Sequence, residues 1–280
     1  MIPKVIHLCW FSGDPYPILI QKCINSWKKN VPEYQIKIWD KKMALDLNIN
    51  FINQAIEKKK WAFAADVVRL YALYTEGGVY MDADFYLLKS FEPFLTNKFV
   101  SFNEVSEGEL IKEKIDKEGN LIDKNDQLIG FGIQAAFMAA EKNNIFVKQV
   151  LDYYMKTNFF DIKEGEKNSN VLAPQIYVKV AERFGFKYID KRQELEEGIT
   201  IYESKYLMQT MYDKQKKDAF AIHCCSHSWY YSAEEEKRIE KKWKSKELFR
   251  KVFGKYITRK INWLFFKLTG RRQNLLNSLE

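Results

Sequence analysis

Residues 61–88, WAFAADVVRLYALYTEGGVYMDADFYLL, constrain the fold more than any other stretch of this chain. The segment reads as a helix, a Gly77-Gly78 stop and a strand running through Val79-Tyr80-Met81-Asp82-Ala83-Asp84-Phe85. Side chains alternate faces along a strand. Tyr80, Asp82, Asp84 and Tyr86 are therefore expected on one face, and Val79, Met81, Ala83, Phe85 and Leu87 on the core face. Two carboxylates roughly 7 Å apart along one strand face repel unless a cation or a donor-rich ligand lies between them. The pattern points to a metal-bound phosphate ligand.

An Asp-x-Asp spacing arises by chance in a chain this rich in aspartate, so its context carries the weight. Asp66 and Arg69 stand three residues apart on the preceding helix and share a face. Gly77 supplies the residue that ends a helix with positive φ. A helix face bearing Asp and Arg is thus joined by a very short link to a strand end bearing two Asp. The bland alternative is a surface ion pair beside a solvated strand, and the apolar residues on both sides argue against it.

The first 90 residues alternate strand and helix. Residues 4–10 read as a buried strand, 18–29 as a helix after Pro17, 34–39 as a second strand and 50–60 as a helix. That order predicts an α/β fold with a mostly parallel central sheet, and ligands in such sheets bind beyond the carboxyl ends of the strands. Residues 103–130 are polar and read as a projecting hairpin or loop turning at Lys117-Glu118-Gly119-Asn120. The chain returns to core at Gly130, followed by helices at about 145–156 and 174–184, the latter opening at Pro174, with a loop at 161–170 between them.

The pattern A-x-D-x-x-R-x-x-x-L-Y-x-x-G-G-x-Y-x-D-x-D, from Ala64 to Asp84, resembles the D-x-D sugar-transferase family. That family spans bacterial capsule and lipopolysaccharide glycosyltransferases, yeast-type initiating mannosyltransferases and, more distantly, glucosylating clostridial toxins. The opening Ile2-Pro3-Lys4-Val5-Ile6-His7-Leu8-Cys9-Trp10 and the block Ala221-Ile222-His223-Cys224-Cys225-Ser226-His227-Ser228-Trp229 resemble its first and last elements. Ala65 stands where the family usually has Ser. The resemblance implies a GT-A-type nucleotide-diphosphosugar transferase fold over residues 1–232.

The same resemblance implies roles. Asp84, Asp82 and His223 would hold Mn²⁺ or Mg²⁺, Asp82 also contacting the ribose or the donor sugar, and His223, preferred over His227, serving either as the third ligand or as a donor to phosphate. Asp66 and Arg69 would hold the donor sugar, Arg69 also lying near phosphate. Tyr80 would face the diphosphate, Trp10 would stack on the nucleobase, and Ser228 and Trp229 would close over the phosphates. His7 is expected to be a core histidine. The implied reaction is retaining transfer from a nucleotide sugar, a UDP-sugar ahead of a GDP-sugar, to a saccharide or lipid-linked acceptor in surface polysaccharide synthesis. No carboxylate stands out in the sequence as the nucleophile of a double displacement, so a front-face mechanism is expected. The alternatives are a toxin-like protein glycosyltransferase and an inactive sugar- or membrane-binding module.

Charge separates the chain into two parts. Residues 237–272 hold 14 basic and 2 acidic residues, a net +12 in a chain of net +8, so the remainder is −4. The basic groups surround an apolar stripe through Phe249, Val252, Phe253, Tyr256, Ile257, Ile261, Leu264, Phe265 and Leu268, so residues 233–280 read as a basic amphipathic helical tail suited to an anionic membrane surface. A nucleic-acid partner is not expected, because the basic groups belong to that tail and not to the catalytic part. The start of the chain lacks the basic and apolar regions of a signal peptide, and no run of about 18 apolar residues occurs. The expected location is cytoplasmic, peripheral on the inner face of the membrane. Cys9, Cys23, His223 and Cys224 lack the C-x₂-C spacing of structural zinc sites, and zinc is not expected.

Overall fold

The structure is a computed structural model. It describes residues 1–105, 114–123, 130–161, 173–208 and 217–224. The expected basic tail, Ser228 and Trp229 lie outside the described residues.

The order begins β1 (Val5–Cys9), α1 (Ile18–Asn30), β2 (Gln35–Trp39), α2 (Lys41–Asp46), α3 (Asn50–Glu57), α4 (Trp61–Glu76), β3 (Gly78–Met81) and β4 (Phe85–Leu87). It continues through β5 (Phe99–Val105), β6 (Phe131–Ile133), β7 (Phe137–Ala140), α5 (Ile145–Met155), α6 (Ala173–Ala181), β8 (Gln193–Leu195), β9 (Ile199–Tyr202), β10 (Leu207–Met208) and β11 (Ala221–His223). The central sheet runs β2-β1-β3-β7-β5-β9-β8, with β6 paired to β5. Strands β1, β2, β3, β5 and β9 run in one direction, and β6, β7 and β8 run against them. The expected α/β arrangement is therefore present, with five of the eight strands of the central sheet running in one direction. A second, three-stranded sheet has the order β10-β11-β4.

The expected helices at 18–29, 50–60 and 61–76 form, and α2 is an addition, capped by the Asp40 side chain accepting from the Met43 N–H. Lys58 closes α3 short of residue 60. The turn at 117–120 is present: the Asp116 carboxylate accepts from the backbone N–H groups of Glu118 and Asn120, and Ile115 bridges to Leu121.

One expectation is corrected. The strand does not continue from Val79 to Phe85. It ends at Met81, the chain turns through Asp82–Asp84 with the Phe85 N–H donating to the Asp82 carbonyl, and β4 resumes in the other sheet. Asp82 and Asp84 thus sit on a turn between sheets and do not share one strand face. The cause is the packing on either side. Val79, Met81, Phe85 and Leu87 all bury in one core, while Tyr80 buries in the other. A straight strand would hold Phe85 and Leu87 in the central sheet, whereas the turn lets them pair with β11 beneath α1.

Helix α1 fixes β4 in that position. The Trp27 indole donates to the Phe85 carbonyl at 2.5 Å, the Ser26 hydroxyl accepts from the Leu87 N–H at 2.9 Å, and the Asn30 amide donates to the Leu87 carbonyl at 3.1 Å. Phe85, Phe91, Phe102, Phe137 and Phe220 pack edge and face below, filling the space between the two sheets.

At the other end of β3, Gly77 and Gly78 have φ of 70° and 107°. A Cβ on Gly78 would lie 2.5 Å from Val5 Cγ1 and 2.7 Å from the Val5 carbonyl oxygen. Only glycine lets β3 lie this close to β1. His7, fully buried, accepts from the Trp39 indole at Nδ1 (3.1 Å), so Nε2 carries the proton and donates to the Gly77 carbonyl at 2.8 Å. His7 is a satisfied core residue, and burial lowers its pKa.

Candidate active site

The site forms where β3 ends, and three elements build it. Helix α4 carries Asp66 and Arg69, the turn after β3 carries Asp82 and Asp84, and β11 carries His223. Pairing of β11 with β4 sets His223 opposite Phe85, and the Cys224 N–H donates to the Asp84 carbonyl at 3.0 Å. This register brings the imidazole to the aspartates. Nε2 of His223 lies 3.6 Å from Asp84 Oδ1 and 3.8 Å from Asp82 Oδ2. One ligand atom from each of Asp82, Asp84 and His223 lies within 4.8 Å of the others. Two carboxylates and an imidazole form a donor set for a divalent ion, the imidazole tilting it toward Mn²⁺ over Mg²⁺. The residues fit the metal that the resemblance implies.

Arg69 organises the other half of the site. It is 4% exposed, so the surface ion pair is ruled out. Nε donates to the Ala65 carbonyl at 3.1 Å and one terminal nitrogen to the Ala135 carbonyl at 2.6 Å. The other terminal nitrogen lies 3.0 Å from Asp66 and 3.4 Å from Asp82. The guanidinium also sits over the Tyr80 ring at 4.5 Å, and the Tyr80 hydroxyl donates to Asp82 at 2.7 Å. Burial works against the charge of Arg69, but Tyr80, Asp82 and Asp66 outweigh it and hold the group cationic. Arg69 thereby ties α4, β3 and the Ala135 loop together. Tyr80 is 1% exposed, its hydroxyl turned to Asp82.

Burial pushes the Asp66 carboxyl up to about 7, with Arg69 opposing and Asp82 adding to the rise. Trp10, just beyond β1, is half-buried, its indole donating to the Asp14 carbonyl at 2.8 Å and its ring edge-on to Tyr16.

Sequence reasoning missed two sets of residues. Glu104, at the carboxyl end of β5 and opposite Gly132 of β6, is half-buried within electrostatic reach of His223 and Asp82. Burial raises its pKa, with His223 opposing and Asp82 adding. An acid closing an apolar strand (Phe99–Val105) was the available signal. The second set is the Gln134–Ala136 loop, whose backbone carbonyls serve Ser101, Arg69 and Asp82. Backbone groups leave no trace in a sequence.

Residues 17–102 match the family model described as "Glycosyltransferase sugar-binding region containing DXD motif". The matched segment includes Asp66, Arg69, Asp82 and Asp84, and the protein is a glycosyltransferase by class. No curated protein matches the sequence. Among solved structures, the chain is similar to PaToxG glycosyltransferase, with 22% identity, a TM-score of 0.46, and 65% of this chain and 69% of that one covered. It is also similar to a glycosyltransferase involved in glycosylation of the major capsid of PBCV-1, with 14% identity, a TM-score of 0.41, and 85% and 100% covered. A third is the galactosyltransferase LgtC in complex with donor and acceptor sugar analogs, with 13% identity, a TM-score of 0.34, and 79% and 87% covered.

Proposed function

We propose that the protein is a metal-dependent, retaining glycosyltransferase that moves a sugar from a nucleotide-diphosphate donor, a UDP-sugar ahead of a GDP-sugar, to a saccharide or lipid-linked acceptor in surface polysaccharide synthesis. The observation that carries this reading is the convergence of Asp82, Asp84 and His223 beside the buried Asp66–Arg69 pair. An ion held there, when bound, offsets the negative charge that builds on a departing diphosphate.

The chain's own residues divide the remaining work. Asp66 offers a half-buried carboxyl to sugar hydroxyls. Arg69 positions Asp66 and Asp82, because its four closest partners leave it little freedom to turn toward a ligand. Tyr80 orients Asp82. Trp10 offers a partly open ring for a nucleobase at the strand ends, where ligands of α/β sheets bind. Ser228 and Trp229 keep the phosphate-closing role that the resemblance implies. The basic stripe of residues 233–280 supports binding to an anionic membrane, which would bring the enzyme to a lipid-linked acceptor. No described helix is long and apolar enough to cross a membrane.

The test is a thermal-shift screen of UDP- and GDP-sugars, with and without Mn²⁺, on the full chain and on Asp84→Ala. A donor at a hundred times its Kd stabilises by about 2.7 kcal/mol, or roughly 5–10 °C for a protein of this size. The shift is expected to need Mn²⁺ and to vanish in Asp84→Ala. No shift with any donor would refute the reading.

A further inference from the structure

Two buried tyrosine hydroxyls near Asp66 have no hydrogen-bond partner among the described residues. They belong to Tyr154 on α5 and Tyr177 on α6, which are 1% and 0% exposed. Helix α5, which carries Tyr154, packs against both α4, which carries Asp66 and Arg69, and α6, which carries Tyr177. Tyr154 lies within electrostatic reach of Asp66, Tyr177 and Arg69, and Tyr177 within reach of Arg69, Asp66 and Asp82. Leaving a buried hydroxyl unpaired costs free energy, and two beside one carboxyl are unusual in a native core. Such groups persist where function uses them, at the expense of stability.

We propose that Tyr177 is a specificity-determining residue of the donor-sugar subsite: its hydroxyl gains its hydrogen bond only in the donor-bound state, from the network that joins Asp66 to a hydroxyl of the transferred sugar. Tyr154 extends the same network behind it. The charge arrangement names the sugar class. The Arg69 guanidinium is already shared among the carbonyls of Ala65 and Ala135 and the carboxyls of Asp66 and Asp82. It has no charge to spare for a further carboxylate, and Asp66 repels one. The subsite therefore takes a neutral hydroxylated sugar and disfavours a hexuronate. This inference rests on the transferase reading above.

The test compares the full-length protein with Tyr177→Phe and Tyr154→Phe, both of which remove only the hydroxyl. Three quantities are measured with Mn²⁺ present: Tm without ligand, Kd for UDP, and Kd for UDP-glucose, with the other UDP-hexoses run alongside. In the unliganded variants Tm is expected to stay level or rise, because an unpaired group has been deleted. UDP should bind all three proteins alike. The preferred UDP-hexose should bind Tyr177→Phe about tenfold more weakly, with a smaller loss in Tyr154→Phe. UDP-glucuronate should bind the wild type more weakly than UDP-glucose.

A fall in unliganded Tm for Tyr177→Phe would overturn the inference, since it would mean the hydroxyl is already paired. Equal losses for UDP and the UDP-hexose, or no loss for either, would also overturn it. Failure of the wild type to bind any nucleotide or nucleotide sugar would instead overturn the transferase reading, and the wild-type control separates the two.

Discussion

Replacing Asp66 by Asn removes one titrating proton from the protein while keeping an oxygen for Arg69, and its effect depends on pH in a direction the structure fixes. Burial pushes the Asp66 carboxyl from an ordinary 3.8 up to about 7. Between those values the folded chain holds a proton that the unfolded chain has released. Stability from this group is therefore complete below pH 3.8, falls as pH rises toward 7 and is flat above. The slope in that window is about 1.4 kcal/mol per pH unit, which integrates to roughly 2.5 kcal/mol between pH 5 and pH 8. Asp66→Asn carries no such term. Urea unfolding of both proteins at pH 5, 6, 7 and 8, without metal, gives the difference in stability between variant and wild type, in which every other titrating group cancels. That difference should move in favour of Asp66→Asn by about 2–3 kcal/mol from pH 5 to pH 8, most of it below pH 7. A difference that stays constant would show that Arg69 already holds Asp66 ionised in the folded state. That result would refute the account of Asp66 as a carboxyl made costly to ionise by burial.

Gly78→Ala forces a Cβ to within 2.5 Å of Val5 at a φ of 107° and should cost about 3 kcal/mol or more, read by urea unfolding. His7→Ala leaves the Gly77 carbonyl and the Trp39 indole N–H without partners and should cost about 2–5 kcal/mol in the same assay; a loss under 1 kcal/mol would mean that those two groups find new partners. For Glu104, the front-face mechanism predicts an unchanged intact mass after incubation with donor, and mass spectrometry finding one sugar attached at Glu104 would sink it. Transfer by Glu104→Gln should keep the anomeric configuration of the product, read by NMR.

The parts of the fold that could be read in the sequence rest on periodicity and on residues with few conformational options. Apolar positions at helical spacing after Pro17 gave α1, and the Gly77-Gly78 pair marked where α4 must end. The break after Met81 was hidden because alternation of apolar and polar residues continues unbroken from Val79 to Leu87. A period of two says which side chains bury, not which sheet receives them. Here two sheets compete for the same segment, and the hydrogen bonds of Trp27, Ser26 and Asn30 to β4 decide between them. Those residues lie some sixty positions upstream, where helical spacing explains Trp27 as a core residue and gives no hint of its second task.

The same distinction explains what could be seen of the site. Asp66, Arg69, Asp82, Asp84 and His223 stood out because their side chains are charged or metal-ligating and sit in a recognisable pattern. The structure then assigns Arg69 a more structural part than the pattern suggested. A guanidinium shared among the carbonyls of Ala65 and Ala135 and the carboxyls of Asp66 and Asp82 holds three chain segments in register. Its substitution should disturb the position of Asp82 as much as the binding of sugar. Tyr154 and Tyr177 escaped notice for the opposite reason. On helices at core positions they read as packing, and only the absence, among the described residues, of partners for their hydroxyls sets them apart. A pattern of residue types locates groups that act through charge, whereas groups that act through an unmet hydrogen bond emerge only when every donor and acceptor around them is placed.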